Sequence, residues 1–476
     1  MKTTVMKFGG TSVEGATAFQ NAARIVADRQ ALRPVVVVSA MAGFTDGLLG
    51  SVREALSADA GAGSAALEKH FERHFRVIDV LLTSEAPRMR ELVERSRGEI
   101  DEILKRAVTE VEANPQGRKF FEDSVAAFGE RLSAAMLAAV LIQNSVSARD
   151  VDARRCIVTD DNYGCATPLM SSTFENSRRE LTELVESRCV PVLGGFIGST
   201  ESGETTTLGR GGSDYTAALI GAALSSDEIQ IWTDVPGVLT ADPRIAPKAR
   251  TVPQLSFEEA AELAYFGAKV LHPKTLQPAI ERNIPVRICN SRAQESGSTL
   301  VVATTAKSEQ TVKAIAHKTG VTTVQVTSTR MLGAYGFLRA LFEIFDRHRT
   351  AVDVVTTSEV SVSLSLDDTT ALPAIVDELE RLGTVNVEEE RAIVCIVGEG
   401  LRSTPGIAAR IFSTIRDINV SLISQGASRI NLTFAVEQAR VRETVTRLHR
   451  EFFEEQGVEV EIEDLWTREA GVNHPS

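Results

Sequence analysis

The sequence predicts an α/β chain: a mostly parallel sheet, then two smaller βαββαβ units of ferredoxin-like type. Three observations carry this reading. Through the first two-thirds of the 476 residues, short and predominantly apolar runs alternate with long amphipathic stretches. Such runs suit strands buried on both faces, and their alternation with helices argues for parallel pairing. Each run leads into a loop of Gly, Ser, Thr and Asp, where ligands sit in open parallel sheets. Beyond about residue 310 the pattern switches to strands that alternate apolar with polar residues, the mark of half-exposed sheets.

The elements follow in order. "VMKFGGTSV" from Val5 is an apolar run ending in Lys7, Gly9 and Gly10. It is not a P-loop, because the lysine precedes the glycines. A helix is expected over Thr17–Arg29, a strand in "PVVVVSAM" (Pro34–Met41), and helices over Ser64–Leu82 and Ser124–Gln143. "VPVLGGFIG" (Val190–Gly198) and "IQIWTDVPG" (Ile229–Gly237) are further buried strands. "ATTAKSEQ" (Ala303–Gln310) reads as a linker. After it come "TTVQVTS", "GFLRALFEIFDRHR", "VDVVTTS", "VSVSLSL" and "ALPAIVDELERLG", then "RAIVCIVG", "GIAARIFSTIRD", "VSLISQ", "INLTFAV", "RVRETVTRLHREFF" and "VEVEIED". The strand–helix–strand–strand–helix–strand order occurs twice. The expected domains are 1–303, 311–390 and 391–468.

Composition excludes several classes. The net charge is −13, with no basic stripe, which argues against nucleic acid, whose binding rests on Lys and Arg. No apolar run reaches membrane-spanning length, and Lys7 interrupts any signal-peptide core, so a cytoplasmic protein is expected. The five cysteines are scattered without a C-x-x-C pair, so neither a disulfide framework nor a zinc site is expected. His70 and His74 in "HFERH" lack the H-E-x-x-H zinc order, and no metal site built on protein ligands is assigned. His272 reads as a structural hydrogen-bonder, "VEEER" (Val387–Arg391) as a solvated edge, and Asp160–Asp161 as a turn or an ordinary exposed pair.

"TTTLGRGGSDYTAALIGAAL" (Thr205–Leu224) places a glycine-rich turn before a helix, where free N–H groups favour anions. Arg210 can fork onto a carboxylate or phosphate. Asp214 can order a Mg²⁺ or a lysine, or else Ser213 or Asp214 merely caps the helix. The loop at Lys7, Gly9 and Gly10 is of the same kind, and two such loops favour a phosphate ester. "WTDVPGVLTADPR" (Trp232–Arg244) is a third loop, and "GAKVLHP" supplies Lys269. In "FGERLSA" the Glu130 carboxylate lies in an apolar helix and needs a partner, either a substrate amine or Arg131.

With these motifs assembled, the chain resembles the aspartate kinases. "VMKFGGTSV", "VVVVSAMAGFTD", "FGERLSA", "LGRGGSDYTA", "WTDVPGVLTADPR", "ELAYFGAKVLHP" and "TTSEVSVSLSLD" appear in the family's order across nearly the whole chain. The resemblance implies the amino-acid-kinase fold, a mostly parallel sheet between helix layers, with paired ACT domains behind it. It implies phosphorylation of L-aspartate by ATP with Mg²⁺. By analogy, Lys7 stabilises the transferring phosphoryl group and Gly9 and Gly10 open the backbone to phosphates. Arg210 grips a substrate carboxylate, Glu130 takes the α-ammonium, and Ser39, Thr45 and Ser213 complete the pocket. Asp214 organises the lysine and metal, while Thr233, Asp234, Leu239, Arg244 and Lys269 hold the nucleotide. Leu239 replaces a tyrosine common in relatives. In the ACT half, Met331, Phe337, Leu338, Val352, Asp353 and Glu359 match the effector-binding segments of lysine-inhibited relatives. Ala334 and Ala351 stand where those relatives often carry serine. A lysine effector is favoured over threonine, and a homodimer through the ACT domains is expected. The alternatives are another amino-acid kinase, such as acetylglutamate or glutamate kinase, or a catalytically inactive amino-acid sensor.

Overall fold

The computed structural model describes residues 3–114, 117–267, 273–305, 310–333, 335–426 and 428–454. The chain forms two compact units, Met1–Leu239 with Thr251–Ser308, and Thr240–Arg250 with Glu309–Ser476.

The first unit opens with β1 (Thr4–Phe8), α1 (Ala16–Ala27), β2 (Pro34–Val38), α2 (Phe44–Ser57), α3 (Ala60–Leu81), α4 (Ala86–Ala113) and α5 (Arg118–Gln143). It continues through β3 (Ala148–Val151), β4 (Val158–Thr159), α6 (Met170–Glu186), β5 (Val190–Gly194), β6 (Ile197–Thr200), β7 (Thr205–Thr207) and α7 (Gly212–Leu224). It closes with β8 (Glu228–Thr233), β9 (Gln254–Ser256), α8 (Phe257–Tyr265), α9 (Gln277–Glu281), β10 (Val286–Asn290) and β11 (Ser298–Val302).

Eight strands form one sheet in the order β3-β5-β2-β1-β8-β10-β11-β9, and only the β10–β11 pair is antiparallel. The mostly parallel sheet between helix layers is therefore present. Alternate side chains explain why β1 and β2 are apolar throughout: Met6, Phe8, Val36 and Val38 enter a core with α1, α2 and α5, while α7 packs on β1, β2 and β8. The 26-residue α5 has the length and composition of a membrane span, but 89% of its most apolar window is buried inside the unit. It is the core helix.

One expected element is divided. The run Val190–Gly198 is not a single strand. It ends at Gly194 as β5 and resumes at Ile197 as β6, in a separate three-stranded sheet ordered β4-β6-β7. Phe196 makes the corner in a left-handed conformation, φ 68°. Apolar composition alone does not mark that corner.

The second unit contains β12 (Ala314–Thr327), α10 (Phe337–Arg347), β13 (Val355–Thr357), β14 (Ser361–Leu366), α11 (Leu372–Leu379), β15 (Thr384–Val397), α12 (Ile407–Thr414), β16 (Val420–Gln425), β17 (Asn431–Glu437) and α13 (Val441–His449). Its six-stranded sheet is ordered β13-β14-β12-β15-β17-β16. The described residues follow the β–α–β–β–α–β order of the first copy and the α–β–β–α order of the second after β15, which the two share, each half with its own core. The copies are not strictly tandem. The first half of β12 pairs with the second half of β15 (Ala314↔Val397 to Thr319↔Ala392), so it lies in the second copy's core. Register shifts around Val321 and a left-handed Glu390, φ 52°, separate the two halves. Val387–Arg391 lies in the half of β15 that pairs with β12 on one side, while the β17 ladder begins only at Arg391; Glu389 and Glu390 are exposed, so the segment is a solvated edge as expected. The last expected strand, "VEVEIED", lies outside the described residues.

The expected boundary at residue 303 misses one segment. Thr240–Arg250 belongs to the second unit. Ala241, Ile245 and Ala246 share a core with Ile315, Leu448 and Phe452. Thr240 accepts the Ile315 N–H at 2.8 Å, and Lys248 pairs with Glu454 at 2.8 Å.

Candidate active site

In an open parallel sheet the crevice lies at the carboxyl ends of the strands, where the chain order reverses. Here that point is β1, with β2 and β5 to one side and β8 and β10 to the other. Lys7 is the penultimate residue of β1. Its ammonium lies 2.7 Å from Asp214 Oδ1, and both side chains are nearly buried, at 12% and 15% exposure. The pair joins the first strand to the first turn of α7.

A cavity of about 660 Å³ opens beside this pair. Its lining includes Lys7, Gly10, Ser39, Thr45, Glu130, Arg210, Ser213 and Asp214, eight residues expected from the sequence at a common site. Gly211 starts α7 in a left-handed conformation, φ 74°, with no side-chain cap. The capping roles open to Ser213 and Asp214 are thus not taken up: Ser213 Oγ accepts from Ser39 Oγ at 3.1 Å, and Asp214 holds Lys7. Arg210 has no carboxylate partner among the described residues.

Glu130 is 3% exposed, with Oε2 unpaired. Burial pushes its carboxyl up to about 8, although backbone hydrogen bonds and the Lys7 charge pull the other way. Arg131 is not its partner. The Arg131 guanidinium lies over the Phe128 ring at 4.7 Å. That leaves the cavity side of Glu130 for an ammonium group.

Gly9 departs from its expected role. Its N–H donates to Trp232 O at 3.1 Å, so it ties β1 to β8 rather than facing a phosphate. Gly10 is required by close approach, since a Cβ there would sit 3.0 Å from Ala40 O. Arg73, unsuspected from the sequence, binds two carbonyls: Nη1 donates to Ala42 O at 2.9 Å and Nη2 to Glu14 O at 3.1 Å. It fastens the loop after β1 to the loop after β2.

Of the residues expected to hold the nucleotide, Lys7 and Gly10 line this cavity, and Thr233, Asp234, Leu239 and Arg244 do not. Thr233 and Asp234 lie at the end of β8, one strand over. Thr233 O accepts the Ser291 N–H at 2.8 Å, and Thr233 Oγ1 donates to Asp234 Oδ1 at 3.2 Å. Leu239 bridges to Thr251. Arg244 falls in the second unit, 86% exposed and paired with Asp242 at 2.7 Å. Lys269 and His272 lie outside the described residues. Among those residues no cluster of three or more His, Cys, Asp or Glu could hold a metal on protein ligands. His70 and His74 pack on Phe44 inside the core, and burial holds His74 down to about 4, a neutral structural ring. Lys119, Asp123, Gly164 and Phe196 also line the cavity. Of these, Asp123 lies seven residues before Glu130 and so on the same helix face, but its partner Thr207 is 84 positions away, and the sequence does not mark it.

The effector candidates separate into two groups. β12 ends beside the start of β14, Thr327↔Ser361, with Met331 and Glu359 in the flanking turns and Phe337 and Leu338 opening α10. Val352 and Asp353 precede β13, at the other end of the same strands, where the Asp353 N–H donates to Ser365 O at 3.0 Å. Asp353 is 3.5 Å from the Lys318 ammonium. Ala351 is exposed, and Ala334 lies outside the described residues.

The fold and this site define a phosphotransferase of the amino-acid-kinase class. Residues 2–290 match the amino acid kinase family and residues 394–452 the ACT domain. Chloroplastic aspartokinase 1 of Arabidopsis thaliana is 38% identical over 467 residues, covering 95% of this chain and 80% of the relative. Lysine-sensitive aspartokinase 3 of Escherichia coli (strain K12) is 37% identical over 458 residues, covering 94% and 99%. The solved structure of E. coli aspartokinase III in complex with aspartate and ADP (R-state) superposes with a TM-score of 0.80 at 35% identity, covering 95% of this chain and all of that one. The chain belongs to the aspartokinase family.

Proposed function

We propose that the protein transfers the γ-phosphoryl group of ATP to the side-chain carboxylate of L-aspartate. The products are ADP and 4-phospho-L-aspartate, at the first step toward lysine, threonine and methionine. One observation carries the assignment of roles: the Lys7–Asp214 pair stands between a cavity holding Arg210 and Glu130 and the open end of β8. A carboxylate nucleophile is already ionised at neutral pH, so no general base is needed. The reaction needs two anions brought into line and their charge neutralised.

Arg210 holds a carboxylate of aspartate through its planar fork, and Glu130 receives the α-ammonium. Ser39, Thr45 and Ser213 fix the rest of the substrate. Asp214 aims the Lys7 ammonium at the phosphoryl group in flight. Thr233 and Asp234 hold the nucleotide from β8. The residues present suit a Mg²⁺ carried on the nucleotide's phosphates, which takes one or two protein carboxylates, with Asp214 the nearest to Lys7. When bound, that ion neutralises charge on the β- and γ-phosphates.

The ACT half binds an amine-bearing amino acid, lysine before threonine. Its ammonium takes the place of Lys318 at Asp353. Two chains associate through the ACT sheet.

The test is steady-state ATP consumption with aspartate, N-acetylglutamate or glutamate, each with and without lysine and threonine. Turnover is expected with aspartate alone and is suppressed by lysine. Lys7→Ala is expected to lower kcat by about a hundredfold or more in a chain that still folds, with a lowered melting temperature because the nearly buried Asp214 carboxylate loses its partner. Turnover on another acid instead of aspartate, or near-normal kcat in that variant, overturns the assignment.

A further inference from the structure

Arg210 is the residue on which aspartate recognition rests in the reading above, yet nothing local fixes its direction. It lies between Gly209 and Gly211, both left-handed at φ 72° and 74°. Glycine allows this backbone but imposes no side-chain direction. The loop's geometry must come from its two attachments. Downstream it enters α7. Upstream it leaves β7 at Thr207, three residues before Arg210.

Thr207 is held at every polar atom. Its N–H donates to Asp123 Oδ2 at 2.8 Å, and its hydroxyl donates to Asp123 Oδ1 at 2.7 Å. Its carbonyl accepts the Ala166 N–H at 2.8 Å. Asp123 Oδ2 also accepts the Gly164 N–H at 2.9 Å. The Gly164–Cys165 segment lies close against Gly209, where a Cβ would be 3.3 Å from Gly164 O and from Cys165 Sγ. One carboxylate, 2% exposed, thus fastens both the strand that delivers Arg210 and the loop that backs it.

We propose that Asp123 is a positioning residue for aspartate recognition: it sets the Arg210 loop from α5, the helix that also carries Glu130. This rests on the assignment of Arg210 to the substrate carboxylate. The two groups that receive the ends of aspartate, Glu130 and Arg210, are then referred to one rigid helix, with Asp123 two turns before Glu130 on the same face. An ionised carboxylate is needed because it accepts at both oxygens. Three N–H or O–H donors point at it, and burial raises its pKa against their pull. An amide in its place would turn an NH₂ toward at least one of those donors.

The experiment compares Asp123→Asn, Thr207→Val and Thr207→Ser with the wild type by steady-state kinetics on the full chain. Aspartate and ATP are varied separately, with ADP binding by calorimetry and thermal melts in parallel. Losing a hydrogen bond to a charged group is expected to raise KM for aspartate about ten- to hundredfold in Asp123→Asn. Thr207→Val is expected to do the same to a lesser degree, Thr207→Ser to restore it, and KM for ATP and ADP affinity to stay constant. Unchanged KM for aspartate in both Asp123→Asn and Thr207→Val overturns the proposal, as does a rise in both KM values together. If Asp123→Asn does not fold, the Thr207 pair decides. A wild-type chain without aspartate-dependent turnover would overturn the functional reading itself, a separate outcome.

Discussion

At the scale of single residues, Glu130 makes a claim that pH can check. In the unfolded chain its carboxyl titrates near 4.5, and in the folded chain near 8. Between these values the folded protein keeps a proton that the unfolded chain has lost. Glu130's contribution to stability is therefore fully present below about pH 4.5 and declines as pH rises to about 8, by at most about 1.4 kcal/mol per pH unit. Denaturant melts of wild type and Glu130→Gln across that window are expected to differ by this slope; parallel curves would show that Glu130 ionises normally. The same group must be charged to receive the substrate ammonium. KM for aspartate is expected to fall as pH rises toward about 8 and then level off, while Glu130→Gln shows a high, pH-independent KM. Charges of this kind are legible in sequence because Lys7, Glu130, Arg210 and Asp214 stand among glycines and small apolar residues. The Gly9 N–H and the Asp123 carboxylate are not, because their partners, Trp232 O and Thr207, lie 223 and 84 positions away and depend on strand register.

At the scale of elements, the site depends on how closely β5 and α7 approach. A Cβ on Gly195 would meet Ser213 Cβ at 2.7 Å and Cα at 2.8 Å. Neither is the end of a flexible side chain, so the helix start must move. Gly195→Ala is expected to destabilise the fold by about 1–3 kcal/mol, and to raise KM for aspartate by displacing Ser213 and the Arg210 turn. A melt and an aspartate titration check both effects; wild-type values would mean that α7 has slack at its start. The alternation of strands and helices is readable because buried parallel strands are apolar on both faces. The corner at Phe196 is hidden by that same rule, since the chain stays apolar on both sides of it. The stretch Ser64–Leu82 reads as helix, but its use does not: Arg73 reaches the Ala42 and Glu14 carbonyls only once α3 packs beside α2.

At the scale of the whole molecule, the two groups of effector residues pose a geometric problem that one chain does not solve. Met331, Phe337, Leu338 and Glu359 gather at the end of the ACT sheet where β12 stops, and Val352 and Asp353 at the opposite end. The sequence lists them within thirty positions of one another, because a strand's two ends are close in number whatever their separation in space. β13 is an edge strand of only three residues in the sheet order, and it lies beside β16 of the same chain. Leu338 and Phe342, four residues apart on α10, expose one apolar helix face, and Leu332, Tyr335 and Val355 are exposed as well. In the dimer proposed above, a two-fold axis that runs the two ACT sheets antiparallel would set one chain's Asp353 end against the other's Met331 end. The effector site would then exist twice per dimer and not at all in a monomer. Phe342→Asp places a charge on that face without touching the kinase cavity. Sedimentation is expected to show a dimer for the wild type and a monomer for the variant. Aspartate-dependent turnover without lysine persists in the variant, while lysine suppression is lost. A monomeric variant that lysine still inhibits would place the whole effector site within one chain, and a wild type that sediments as a monomer would remove the two-fold argument altogether.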